Sequence, residues 1–156
     1  MKKPKKIFVV YAIIAALLYC TTAGLFIHFQ TYFQSWLLYL GNALFGIVIA
    51  FFIYRYYSLS NYKLKVGQLV MAGQVTSIIG ILISCLVCLL LLWILVPDFY
   101  FHPPAPDNVL NNPASQLQQG KNSYLLVLLM DTIIGNIGTG AFISVLLPFT
   151  LMRKEQ

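Results

Sequence analysis

No charged side chain occurs between Ile7 and Tyr54, and that gap constrains the fold more than any motif in the chain. A soluble domain carries roughly a quarter of its residues as charged groups. Here charged residues make up 9% of the 156 positions and hydrophobic ones 60%. One soluble core cannot enclose that much apolar side chain. Composition therefore excludes a soluble enzyme, a disordered chain and a disulfide-rich secreted module.

Hydrocarbon offers no partner for backbone N–H and C=O groups, so a spanning segment is a helix of about 20 apolar residues that bonds internally. Residues 7–29, 33–57, 68–96 and 124–152 meet that requirement. The reading is an all-α polytopic membrane protein: one domain over residues 1–156, with four transmembrane helices in a bundle.

Lys and Arg concentrate in cytoplasmic loops, so their distribution sets the orientation. Lys2, Lys3, Lys5 and Lys6 precede the first span, Arg55, Lys63 and Lys65 separate the second from the third, and Arg153 and Lys154 follow the fourth. Only Lys121 falls on the other side. Both termini are thus expected in the cytoplasm of a bacterial cell, with the chain in the inner membrane. A short outer turn lies near Gln30 to Tyr32, and an outer loop runs over residues 98–123. Tyr32, Trp36, Trp93, Tyr100 and Tyr124 would mark the outer interface, and Tyr54, Tyr56, Tyr57 and Tyr62 the inner one. Arg55, Lys63 and Lys65, set among those inner tyrosines, read as contacts to anionic lipid at the cytoplasmic face rather than to nucleic acid.

The start, MKKPKK followed by an apolar run, resembles a signal peptide, and Thr21 to Ala23 offers small residues for cleavage. The run continues through Gly24, Leu25, Phe26 and Ile27, which suits an uncleaved span. In the outer loop, Pro103, Pro104, Pro106 and Pro113 limit regular structure to one short helix, capped by Asn112 and ended by Gly120.

Lipid tails are as apolar as leucine, so spans associate by close packing of small residues and by interhelical hydrogen bonds. Ala12, Ala16, Cys20, Gly24 and His28 recur every four residues in the first span, and Asn42, Gly46 and Ala50 in the second. Gln68, Ala72, Thr76, Gly80, Ser84 and Cys88 do so in the third, and Thr132, Asn136, Gly140 and Ser144 in the fourth. Gly24, Gly46, Gly80, Ser84, Gly140 and Ser144 are therefore expected at helix contacts.

Asp131 is the one acid well inside a span. An ionised carboxylate there costs roughly 2.5–3.5 kcal/mol on insertion scales, so it must be neutral, paired or in contact with water. By the helical rise it lies ~10 Å below the outer end, at the depth of Thr21, Thr22 and Asn42, with Asn136 about one turn below. The expected polar cluster is Asp131, Asn42 and one of the two threonines, with Asn136 as an addition, so these five are its candidate members. It is either a clamp between helices, with Asp131 protonated, or part of an ion or proton pathway. The spacing of His28, His102, Asp98 and Asp107 does not point to a metal site. No cofactor is implied.

Cys85 and Cys88 form C-x-x-C inside the third span. With four spans, this resembles the quinone-linked disulfide-forming and vitamin K epoxide reductase families, which imply thiol redox chemistry. Those families also use a second cysteine pair in an outer loop, and the 26-residue loop here has none. YRYYSLSNYKLKVGQ before the third span, VPDFYF at its outer end and GTGAFISVLLPFTLMRKEQ at the C-terminus resemble a bacterial domain-of-unknown-function family of short four-span membrane proteins. That resemblance implies an architecture and no reaction.

Nucleophile–base pairs, paired carboxylates and phosphate-cradling glycine loops are missing from the sequence. The expectation is a non-enzymatic structural or interaction component of a membrane assembly, with a membrane-protein partner or a second copy. The alternatives are a small transporter or channel using Asp131 and, more remotely, a thiol oxidoreductase using Cys85 and Cys88.

Overall fold

The computed structural model describes the backbone of residues 5–29, 35–60, 64–95 and 121–153. Helix α1 is Lys5–Phe29, α2 is Trp36–Leu59 and α3 is Val66–Leu95. A fourth rod comprises α4 (Lys121–Met130), one π-helical turn (Asp131–Gly135) and α5 (Asn136–Arg153). No strand occurs among the described residues. Among the described residues, four stretches are long and apolar enough to cross a membrane: Lys6–Phe29, Trp36–Leu59, Val66–Leu95 and Leu126–Met152.

The helix ends follow local chemistry. Before α3, the Lys65 N–H donates to the Gln68 side chain at 3.4 Å, the reach-back half of a capping box, and the helix starts two residues ahead of the expected Gln68. At the end of α2, the Ser60 N–H bonds the carbonyls of Tyr56 and Tyr57, and its hydroxyl donates to Tyr56 O at 2.9 Å. Helix α2 opens at Trp36 rather than Phe33, and the fourth rod at Lys121 rather than Tyr124. The outer turn at Gln30 to Tyr32 and the expected loop helix after Asn112 lie outside the described residues.

Helix α1 packs on α2 and α3, while α5 packs on α3 and α2. The small-residue stripes lie largely on these contacts. Ala12, Ala16 and Cys20 of α1 are buried, as are Ala72, Thr76, Gly80, Ser84 and Cys88 of α3. The stripes fade at their ends, where Gly24 is half-buried and His28 and Gln68 are exposed. Between α3 and α5 the contact is reciprocal, Gly73 receiving Ser144 and Gly140 receiving Ser77. A Cβ on Gly140 would stand 2.7 Å from Ser77 Oγ, so only hydrogen fits there. Gly46 of α2 likewise admits Thr139 and Ile143 of α5.

One end of the α1–α2 pair is aromatic. Phe8 stands 5.2 Å from both the Phe52 and Tyr56 rings, and Phe52 stacks on Tyr56 at 5.7 Å. This corrects one expectation: Tyr56 and Tyr57 are buried between helices, and only Tyr54 of that group faces outward among the described residues. Three consecutive helical positions cannot share one face, so the interface pattern and the packing pattern overlap in YRYY.

Candidate functional site

The π turn starts at Asp131, and the groups around it come from every helical rod. A π turn holds one more residue than an α turn, and such single turns recur at functional sites. Here it carries Asp131 and Thr132 at adjacent positions and turns both toward the other helices. Tyr19 of α1, fully buried, places its Oη 3.0 Å from Asp131 Oδ2, the phenol donating when the carboxyl is ionised. The same Oη lies 2.9 Å from Thr132 Oγ1. From α2, Asn42 Nδ2 donates to Asp131 Oδ1 at 3.0 Å. Thr132 Oγ1 also donates back to Leu128 O at 2.6 Å, one turn earlier on its own rod.

Helix α3 completes the layer through sulfur. Cys20 Sγ of α1 donates to Ser84 O of α3 at 3.8 Å, and the buried Cys88 thiol lies beside Cys20 and Thr132. A continuous polar layer thus crosses the molecule from Asn42 through Asp131, Tyr19 and Thr132 to Cys88 and Cys20. It contains neither lysine nor arginine.

The five residues expected to cluster are only partly brought together. Asp131 and Asn42 bond directly. Thr22 is buried next to them but turns its hydroxyl to Tyr19 O at 2.8 Å, filling the space left by Gly41. Asn136 is buried one turn on and donates to Thr132 O at 3.0 Å. Thr21 is the threonine left out: it is exposed and bonds Leu17 O at 2.8 Å, because successive helical positions point about 100° apart and Thr22 takes the inward one. Tyr19 and Thr132 are the additions. A tyrosine deep in an apolar span needs a partner for its hydroxyl, and that was the available signal for Tyr19.

Glycine at position 135 allows the approach of α2. A Cβ there would stand 2.5 Å from Asn42 Nδ2 and 3.1 Å from Oδ1. Among the described residues, four buried oxygens or hydroxyls remain without a protein partner: Asn42 Oδ1, Asn136 Oδ1, Ser84 Oγ and Ser144 Oγ.

Asp131 is not sealed in. It lines a groove of about 400 Å³ between the start of α2 and the fourth rod, with Leu38, Tyr39, Met130 and Ile134 among its walls. The groove reaches from Ser35 past the depth of Asp131 to Gly135 and is open along one side.

Elsewhere, Cys85 is half-buried and Cys88 buried, and Cys88 meets Cys20 of α1. Of the two histidines, His28 is exposed and His102 lies outside the described residues, with Asp98 and Asp107. Arg55 and Lys65 are exposed, and Lys63 lies outside the described residues. No protein-family model, curated protein or solved structure matches the chain.

Proposed function

We propose that this chain is a non-enzymatic multi-pass protein of the bacterial inner membrane, acting as a structural or interaction component of a larger assembly. The observation that carries the reading is the engagement of Asp131, whose two carboxyl oxygens are taken up by Tyr19 of α1 and Asn42 of α2. An acid bonded in this way ties helices together, which suits a scaffold gathered into a bundle better than an open pathway. The split of Lys and Arg supports cytoplasmic termini. Exposed Arg55 and Lys65 suit a surface of anionic lipid. The resemblance to four-span membrane proteins adds architecture alone.

Extraction in a mild detergent followed by native electrophoresis tests the reading. A partner protein or a second copy is expected to travel with the chain. A chain that runs strictly alone and carries a solute across proteoliposomes would overturn it.

A second reading, a small carrier, is favoured by one observation: Asp131 also lines the groove. Flux that disappears in Asp131→Asn would support the carrier, and unchanged flux would remove Asp131 from any pathway.

A further inference from the structure

We propose that the groove at Asp131 is a binding site for an amphiphilic organic ammonium ion, which enters in exchange for the proton of the Asp131 carboxyl. The inference goes beyond the scaffold reading and is tested apart from it: cation binding without a partner, or a partner without cation binding, separates the two.

The proton is placed by counting hydrogens. Leu128 O has none, so the 2.6 Å contact to it uses the Thr132 hydroxyl hydrogen. Thr132 Oγ1 can then only accept across the 2.9 Å contact to Tyr19, which uses the single phenol hydrogen. The remaining contact, 3.0 Å between Tyr19 Oη and Asp131 Oδ2, needs a third hydrogen. A neutral Asp131 carboxyl supplies it, whereas an ionised one draws the phenol hydrogen to itself. Asn42 meanwhile donates to the other carboxyl oxygen, Oδ1, which is the carbonyl oxygen of a neutral acid. An ionised Asp131 would leave one phenol hydrogen divided between two acceptors.

The ligand class follows from the walls. Most of the lining is apolar, and Asp131 is its one carboxyl among the described residues. Tyr39 offers an aromatic ring on the facing α2 wall and Met130 a thioether next to Asp131, both soft surfaces for a cation. Among the described residues no lysine, arginine or histidine lines the groove to compete for the carboxylate. The titratable groups facing Asp131 are Tyr19 from α1 and Tyr39 from α2, with Cys88 of α3 behind Thr132.

Depth argues for a free amphiphile rather than a lipid headgroup. Asn42, bonded to Asp131, lies six residues inside the start of α2, or ~9 Å along the axis, whereas a lipid ammonium sits in the headgroup layer. In the exchange, the cation pairs with the carboxylate and the proton passes along the groove to the water at its Ser35 end. Charge is conserved and no bond beyond O–H is broken.

The test is calorimetric titration of the purified chain in dodecylmaltoside with benzyltrimethylammonium, in two buffers of different ionisation enthalpy. Saturable binding is expected with close to one proton released per cation. Affinity should fall about tenfold for each unit that the pH is lowered where the acid holds its proton, because cation and proton compete for one group. Asp131→Asn and the groove-filling Ile134→Trp should each weaken binding at least tenfold, and the uncharged isostere neopentylbenzene should not compete. Absence of saturable binding, binding without proton release, full competition by neopentylbenzene, or full binding by Asp131→Asn would each overturn the proposal. If Asp131→Asn fails to fold, the proton count on the unmodified chain and the Ile134→Trp result decide.

Discussion

Replacing Tyr19 by Phe removes one oxygen and keeps the ring, so it isolates the hydrogen bonds that tie α1 to the fourth rod. That oxygen makes two interhelical contacts, 3.0 Å to Asp131 and 2.9 Å to Thr132. Interhelical hydrogen bonds inside membranes average ~0.6 kcal/mol and reach ~1.7 kcal/mol at most, so the expected loss is ~1.2 kcal/mol with a ceiling of ~3.4 kcal/mol. The lower figure is about eightfold in the folding equilibrium. It should not approach the ceiling, because Thr132 keeps its bond to Leu128 O and Asp131 keeps Asn42. Reversible unfolding in mixed dodecylmaltoside–dodecylsulfate micelles gives the number. A double-mutant cycle with Asp131→Asn then gives the coupling, expected at about 0.5 kcal/mol or more for groups in one network. A Tyr19→Phe protein as stable as the parent, or effects that simply add, would refute the claim that the layer acts as a unit.

Other perturbations separate packing from polarity. Gly140→Ala should cost about 1–3 kcal/mol through the clash with Ser77, and Ser77→Gly in the same chain should recover most of it in the same unfolding assay. Ser144→Ala removes a buried hydroxyl that has no partner and should leave stability within about 0.5 kcal/mol or raise it slightly. Oxidation by copper phenanthroline should join Cys20 to Cys88, linking α1 to α3. Peptide mass spectrometry should find the link kept in Cys85→Ala and lost in Cys88→Ala.

Much of the fold is legible in the sequence because hydrocarbon leaves a chain so few choices. The uncharged stretch from Ile7 to Tyr54 gives two spans with almost no further information, and the four-residue stripes identify the contact faces of α3 and α5. The site is less legible, since depth along a helix is readable by counting residues whereas azimuth depends on how the helices dock. Asn42 and Asp131 share both depth and face and were found. Thr21 shares the depth but not the face. Tyr19 was hidden by a different expectation, that a membrane tyrosine belongs at an interface.

The π turn explains why azimuth could not be read off the fourth span. In a regular helix, four-residue spacing drifts about 40° per step, so Thr132, Asn136, Gly140 and Ser144 would slide around the rod. All four are nevertheless buried. The wider turn at Asp131–Gly135 takes up the first step, where residues 132 and 136 flank one extra residue's worth of rotation. It thereby lets one face serve two ends. The lower part packs on α3 through Gly140, and the upper part turns Thr132 inward while leaving Asp131 half-exposed to the groove. DTIIG carries no glycine–proline signal that would betray such a turn, so the irregularity follows from packing rather than from local propensity. An acid at the first position of that turn is bonded on one side and accessible on the other, and an exchangeable proton needs both conditions.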